Sequence, residues 1–279
     1  MAIADLHNHT TFSDGLLTPT EMINRALNND VEFFAITDHD TVSGLPEAIN
    51  VSKILPLTFI PGIELSTEYN EESIHILGYF TDDNYNNPEL ISFLEELENR
   101  RFNRAKIMIE KLKNNCNIDI DFDNVRKRSK NIIARPHIAA EIIAQGYNYT
   151  TDYIFDNFIG KGCPAYEPVC RIPTEEGIAL LKKYNCIVSL AHPVLIKYSP
   201  VSDFMNLGFD AMEAIYYQNT PDDEKRLVAL ARENNLLITG GSDCHGNSIT
   251  DTKHGDIGKI PYPIEYFNEF YEFYKSKLL

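Results

Sequence analysis

Asp5-Leu6-His7-Asn8-His9-Thr10-Thr11-Phe12-Ser13-Asp14-Gly15 closes a short apolar run that starts at Ala2. Residues two apart on a strand point to the same face, so His7 and His9 present two imidazoles side by side. Asp14 follows at a Ser-Asp-Gly turn. Two imidazoles and a nearby carboxylate can grip a metal ion, and the rest of the chain repeats this ending.

Further strand-length apolar runs are Phe33 to Thr37, Leu57 to Leu65, Ile74 to Phe80, Ile187 to Ala191, Ala211 to Tyr216 and Leu236 to Gly240. Most are nearly continuous in apolar residues, as buried parallel strands are. Thr37-Asp38-His39-Asp40 follows the second, Pro61-Gly62-Ile63-Glu64 lies in the third, and His75 opens the fourth. Ala191-His192-Pro193 and Gly241-Ser242-Asp243-Cys244-His245 follow later runs. Six of the eight histidines are placed in this way. A lone histidine at a strand end is usually structural or a surface residue. Several at successive strand ends point to a metal centre, because α/β barrels gather their chemistry at one end of the strands.

Helical signals alternate with the strands. Thr18-Pro19-Thr20-Glu21 supplies a capping hydroxyl, a first-turn proline and an acid, and predicts a helix to about Asn28. Helices are expected from Thr41 to Ile54, from Thr174 to Tyr184 and from Pro221 to Asn234, the last capped by Thr220. Strand alternating with helix argues for a parallel sheet or barrel with the helices outside. The rhythm breaks at residues 88–166, which read as helices only: Pro88 to Asn114, Phe122 to Arg128, Arg135 to Gln145 and Thr151 to Ile159. The expected organisation is a barrel from 1–87 and 167–279, interrupted by a small helical domain.

The 279 residues carry a net charge of −16, which disfavours long nucleic acid. Yet eleven of the 25 Lys and Arg fall between Arg100 and Arg135, beside only four acids. Such a run is most often a solvated helix face; it also suits a small anionic substrate. No run is long enough to span a membrane, and the N-terminus lacks the pattern of a signal peptide, so a cytoplasmic location is expected. The cysteines at 116, 163, 170, 186 and 244 form no CxxC pair and read as reduced thiols. Cys244, between two ligand candidates, reads as packed.

His7, His9, Asp14, His39, Glu64, His75, His192, Asp243 and His245 are nine candidate ligands, more than one ion takes. Imidazole and carboxylate without thiolate suits Zn, Mn or Fe(II). Two or three divalent ions sharing a carboxylate fit the count, and such sites hydrolyse phosphate esters.

The motifs DLHNHTTFSDG (5–15), TDHD (37–40), GIE (62–64), HILGY (75–79), AHP (191–193) and SDCH (242–245) resemble, in order, those of the PHP superfamily of polymerase and histidinol phosphatase domains. The resemblance implies an α/β fold, a distorted barrel of seven strands, with a trinuclear site. In that scheme His7, His9, Glu64 and Asp243 hold one ion. Glu64 bridges to a second, completed by His75 and His192. Asp14, His39 and His245 hold the third. Asp14, His39, Glu64 and Asp243 are then the catalytic core.

ARPHIA (134–139) and GKGCPAY (160–166) are similar to members acting on nucleoside 3′,5′-bisphosphates and on the 5′ ends of short RNA, the RNase AM-like branch. The resemblance makes Arg135 and His137 phosphate-binding, with Lys161 as a weaker candidate. The guanidinium fork suits two phosphate oxygens; the plain alternative is a helix start with His137 packed in it. The expected partner is a small phosphorylated substrate or a short single strand. Histidinol phosphate hydrolysis, metal-dependent amide hydrolysis and a non-catalytic scaffold are the competing functions. His254 has no motif support and reads as a surface residue.

The linker at Asn70-Glu71-Glu72 is of hairpin length. A tight hairpin would set His75 opposite a residue near Glu68, leaving Glu64 roughly 13 Å away at ~3.3 Å per residue. A shared ion therefore predicts a bend soon after Glu64.

Overall fold

The computed structural model describes residues 3–129, 133–168, 171–246 and 251–278. In chain order, short 3-10 turns aside, its elements are β1 (Ala4–Asp5), α1 (Pro19–Asn28), β2 (Phe33–Ile36), α2 (Leu45–Ser52), β3 (Thr58–Tyr69) and β4 (Glu72–Phe80). Then come α3 (Pro88–Cys116), α4 (Phe122–Ser129), α5 (Arg135–Ala144) and α6 (Thr151–Ile154), the last continued by a π-helical turn at Phe155–Ile159. The chain ends with β5 (Ile172–Pro173), α7 (Thr174–Lys183), β6 (Cys186–Leu190), β7 (Ala211–Tyr216), α8 (Pro221–Glu233), β8 (Leu237–Gly241) and α9 (Ile264–Lys277). Two compact units result: Met1–Ser92 with Arg171–Leu279, and Phe93–Cys170.

The first unit is built on one sheet in the order β1-β2-β3-β4-β6-β7-β8, with β5 beside β3. Pairing is parallel from β1 to β3 and from β6 to β8; β4 alone runs against both neighbours. The sheet nearly closes on itself. Leu6 N–H donates to the Gly240 carbonyl, and Asp243 N–H to that of His7. A Cβ on Gly241 would fall 2.3 Å from Cβ of His7, so β8 approaches β1 this closely only because Gly241 has no side chain. Leu6, Phe34, Ile36, Ile60, Ile76, Val188, Ala214 and Ile238, on or beside these strands, are all buried.

The helix signals act as the sequence predicts at α1 and α8. Thr18 accepts from Glu21 N–H while Glu21 accepts from Thr18 N–H, and Thr220 and Asp223 exchange the same pair. The expected helix from Thr41 starts only at Leu45, because Gly44 and Pro46 put its first turn there. α9 was not among the expected elements; it buries Phe267, Phe270 and Tyr274.

The second unit has a core of its own. Ala105, Met108 and Leu112 line one face of α3 at helical spacing and pack with Ile118, Val125, Ile138, Ile142, Ile154 and Ile159. Part of the basic run is spent inside this unit. Lys111 pairs with Glu167 (2.6 Å), Lys113 with Asp119 (2.9 Å), and Arg128 with the buried Glu141. Cys116, Cys163, Cys186 and Cys244 are free thiols; Cys170 lies outside the described residues.

Candidate metal centre

All nine candidate ligands lie in the first unit, and the structure brings them together. His7 and His9 leave β1 fully buried, their rings 5.1 Å apart. Asp38 shapes the following loop by accepting from Thr10 N–H (2.7 Å) and from the hydroxyls of Thr10 and Ser13, which carries the chain round to Asp14. His39 follows β2 and is bridged in parallel to Glu64. Asp40, His192 and Asp243 sit at positive φ (51°, 27° and 55°), so the chain turns sharply at three ligand-bearing loops. Such conformations cost about 1–3 kcal/mol each and persist where the surroundings impose them.

The expected bend after Glu64 is absent. β3 and β4 form a regular antiparallel ladder from Gly62 opposite Tyr79 to Tyr69 opposite Glu72. Only Asn70 and Glu71 make the turn, both at positive φ (50° and 63°), as a type I′ turn requires. His75 therefore faces Ser66, not Glu68, and Glu64 is its diagonal neighbour on the same face. Because β4 runs backwards, its beginning lies level with the ends of its parallel neighbours. This is why His75, the fourth residue of β4, lies in the first half of its strand while His39 and His192 follow the ends of theirs. Ala191 N–H donates to the His75 carbonyl, which sets His192 beside it.

Glu64 is the centre of the cluster, with each oxygen turned to a different group. Oε1 lies 2.9 Å from Nδ1 of His75 and 3.0 Å from Nε2 of His192. Oε2 lies 3.3 Å from Nε2 of His7, 3.2 Å from Nε2 of His9 and 2.9 Å from Nδ1 of His39. Asp243 Oδ1 is 3.0 Å from Nε2 of His9 and 3.5 Å from Nε2 of His7. Asp14 Oδ1 is 3.2 Å from Nε2 of His245, and its Oδ2 is 3.8 Å from Nε2 of His39.

Several of these converging atoms are buried without a hydrogen bond: Nε2 of His7, both ring nitrogens of His9, Nδ1 of His39 and Oε2 of Glu64. Buried polar atoms are normally satisfied. A set of nitrogens and carboxylate oxygens turned inward and left unsatisfied is what divalent cations fill, so the donor set fits such ions.

The electrostatics agree. Burial disfavours the charged forms throughout, yet Glu64 is held well below the usual carboxylate range by His39, His7 and His75. His7 and His9 do the same for Asp243. In return Glu64 and Asp14 outweigh the burial of His39 and push its pKa up to about 10. Glu213, Asp243 and Glu64 likewise raise that of the buried His7. The carboxylates draw positive charge into the cluster.

Glu213, in the middle of β7, escaped the sequence reading. It is fully buried and accepts from Nδ1 of His7 (3.0 Å) and from His192 N–H (2.8 Å). This fixes the tautomer that turns Nε2 of His7 toward Glu64, as carboxylates behind metal-ligating histidines do. The signal was a single acid inside Ala211-Met-Glu-Ala-Ile-Tyr216. Tyr216 was missed too; its hydroxyl donates to Asp243 Oδ2 (2.9 Å). His254 is a correction. Its ring is half-buried and stacks on His245 at 4.0 Å between centroids, so it belongs to this cluster and not to the open surface. Cys244 is buried, and burial raises its thiol to about 11.

The PHP domain model matches residues 5–160. This chain belongs to the PHP domain family. Its PHP relatives include the 5′-3′ exoribonuclease Rnm of Salmonella typhimurium, 33% identical over 252 residues, covering 87% of this chain and 85% of that protein. A 3′,5′-nucleoside bisphosphate phosphatase of Chromobacterium violaceum is 29% identical over 276 residues, with 95% of each chain covered. Among solved structures, a protein of Bifidobacterium adolescentis designated a candidate metal-dependent phosphoesterase superposes with a TM-score of 0.76 at 28% identity, over 95% of this chain and 94% of that one. This PHP protein is accordingly a metal-dependent phosphoric ester hydrolase.

Arg135, His137 and Lys161 lie in the second unit. The Arg135 guanidinium sits 5.4 Å from the ring centroid of Phe155 and 6.0 Å from that of Tyr166. His137 Nδ1 accepts from Ala134 N–H at the start of α5, and Lys161 is exposed. Among the described residues no helix is long and apolar enough to cross a membrane.

Proposed function

We propose that this protein removes phosphate from small nucleotides, with nucleoside 3′,5′-bisphosphates as the main substrate class and the 5′ ends of short single-stranded RNA as a second. The observation that carries this reading is the division of Glu64, Oε1 toward His75 and His192, Oε2 toward His7, His9 and His39. One carboxylate facing two ligand groups suits a bridging role.

His7, His9, Glu64 and Asp243 then hold one divalent ion, Glu64, His75 and His192 a second, and Asp14, His39 and His245 a third, drawn from manganese, zinc or iron. When bound, such ions neutralise charge on the phosphoryl oxygens and supply a water of lowered pKa for in-line attack. Glu213 keeps His7 and the His192 loop in place by its two hydrogen bonds. Tyr216 steadies Asp243.

Arg135 and His137 hold a substrate phosphate, with Lys161 adding positive charge. Aromatic rings beside the guanidinium leave its planar fork preorganised for an oxyanion. The net charge of −16 favours short anionic substrates over long duplexes. The relatives named for RNA and for nucleoside bisphosphates support the same substrate class.

The test is phosphate release from adenosine 3′,5′-bisphosphate and from histidinol phosphate by the Mn(II)-loaded protein. Release from the bisphosphate, lost in Arg135→Ala, is expected. Preference for histidinol phosphate would overturn the substrate class. Silence on both with ions bound would overturn the reaction and leave amide hydrolysis to be assayed.

A further inference from the structure

His254 is held in place from several sides. Asp251 accepts from Nδ1 of His254 (2.7 Å) and from the backbone N–H groups of Lys253 and His254. Gly255 N–H donates to the Ser242 carbonyl (2.8 Å), and Gln218 donates to that of Lys253 (2.7 Å). A carboxylate can only accept, so the His254 ring proton sits on Nδ1 and Nε2 keeps its lone pair. That Nε2 lies 3.9 Å from Asp243 Oδ2.

The neighbouring histidine has the same polarity. Nδ1 of His245 donates to the Asp243 carbonyl (2.8 Å), which turns its Nε2 toward Asp14. The two imidazoles stack with an interplanar angle of 29°. Ligand atoms of Asp243, His245 and His254 lie within 4.8 Å of one another. At 3.9 Å, Nε2 of His254 is too far from Asp243 for a hydrogen bond. Two ligand atoms each ~2.1 Å from one ion stand roughly 3.0–3.5 Å apart, so a closure of about half an ångström would join them on one cation.

We propose that His254 is a further ligand of the metal centre, joining the ion at the rim of the cluster that His245 holds, with Asp243 reaching from the first ion to share it, and that Asp251 is its orienting carboxylate. This rests on the reading of the cluster as a metal site. It adds a tenth ligand, one that lies outside every motif by which the other nine are found. The arrangement carboxylate–imidazole–cation is the one that fixes ligand histidines elsewhere, and it gives Asp251 a purpose beyond closing its own turn.

The experiment is a Zn(II) titration of the full chain labelled with [15N]histidine, followed through long-range 1H–15N imidazole spectra. His254→Asn identifies the His254 signals. The expected result is that Nε2 of His254 moves to the position of a metal-bound nitrogen together with Nε2 of His245. By equilibrium dialysis, His254→Asn is expected to lose one ion of the wild-type complement, and Asp251→Asn to weaken that ion about 10–100-fold. An unchanged circular dichroism spectrum and melting temperature would exclude misfolding as the cause. If His245 moves and His254 stays, His254 is not a ligand, while the metal centre stands. If no imidazole responds, the reading of the cluster falls as well.

Discussion

Nδ1 of His75 lies 2.9 Å from Oε1 of Glu64 although the two residues are not opposite one another in the ladder; His75 pairs with Ser66. The contact is diagonal across a regular hairpin, and the two-residue turn at Asn70 and Glu71 sets it. Glu64→Gln keeps the shape and one acceptor but removes the charge that two ligand groups share. The expected result is loss of at least two ions per chain by elemental analysis. Turnover should fall at least ~10³-fold, about 4 kcal/mol of barrier. Full metal content in this variant would deny Glu64 its bridging role.

Glu213 provides a sharper test, because it supports the site from behind. Glu213→Gln retains a hydrogen-bond acceptor for His7 and should weaken metal binding about 10–100-fold. Glu213→Ala leaves buried donors on His7 and His192 unsatisfied and should also cost about 1–3 kcal/mol of stability. Competition with a chelator reads the first effect and urea unfolding the second. Equal metal affinity in all three proteins would contradict the role.

Arg135 and its fork are separable from the metals. Arg135→Ala should lower kcat/KM for a bisphosphate about 10–100-fold, the value of a charged hydrogen bond of about 1.5–3 kcal/mol. Arg135→Lys should recover little, since an ammonium cannot bind two oxygens in one plane. Metal content should be unchanged in both. A lysine variant with wild-type kinetics would reduce the residue to a point charge.

The pH dependence of the metal-free protein follows from His39. In the folded state burial opposes its charge, but Glu64 and Asp14 hold its pKa at about 10, against 6.5 for an ordinary histidine. The folded state binds that proton more tightly, so the stabilisation is complete below about 6.5 and is lost as pH rises toward 10. Glu64 and Asp243 are depressed, so their contribution is present above the ordinary carboxylate range and is lost as pH falls through their folded values. The melting temperature in EDTA should therefore fall from pH 7 to 10. Metal affinity should rise over the same range, because bound ions displace protons from the imidazoles. A flat melting profile without metal would place His39 outside this network.

Much of the site was legible because its residues end strands, where an apolar run stops at a histidine and the period of two aims neighbours together. His7, His9, His39, His192 and Asp243 were all found this way. The hairpin register was not, since one residue more or less in the turn moves every partner by one and turns the paired side chains to opposite faces, and turn length is a matter of φ at Asn70 and Glu71. Glu213 hid inside an apolar strand, where a lone acid gives no spacing to read. His254 carries no pattern because the fold, not a motif, returns it to His245. The helix caps at Thr18 and Thr220 were legible because capping is a local event. The start of α2 was misjudged because a local turn at Gly44 took precedence.

The near-closure of the sheet has a consequence for biosynthesis. His7 is made well before its neighbours Glu213 and Asp243, which come more than two hundred positions later. The helical unit from Phe93 to Cys170, with its own core, has all its contacts long before then. On the ribosome the helical segment can thus gather its core while the histidines wait, and no cation can be captured in the finished geometry until His245 and His254 have emerged.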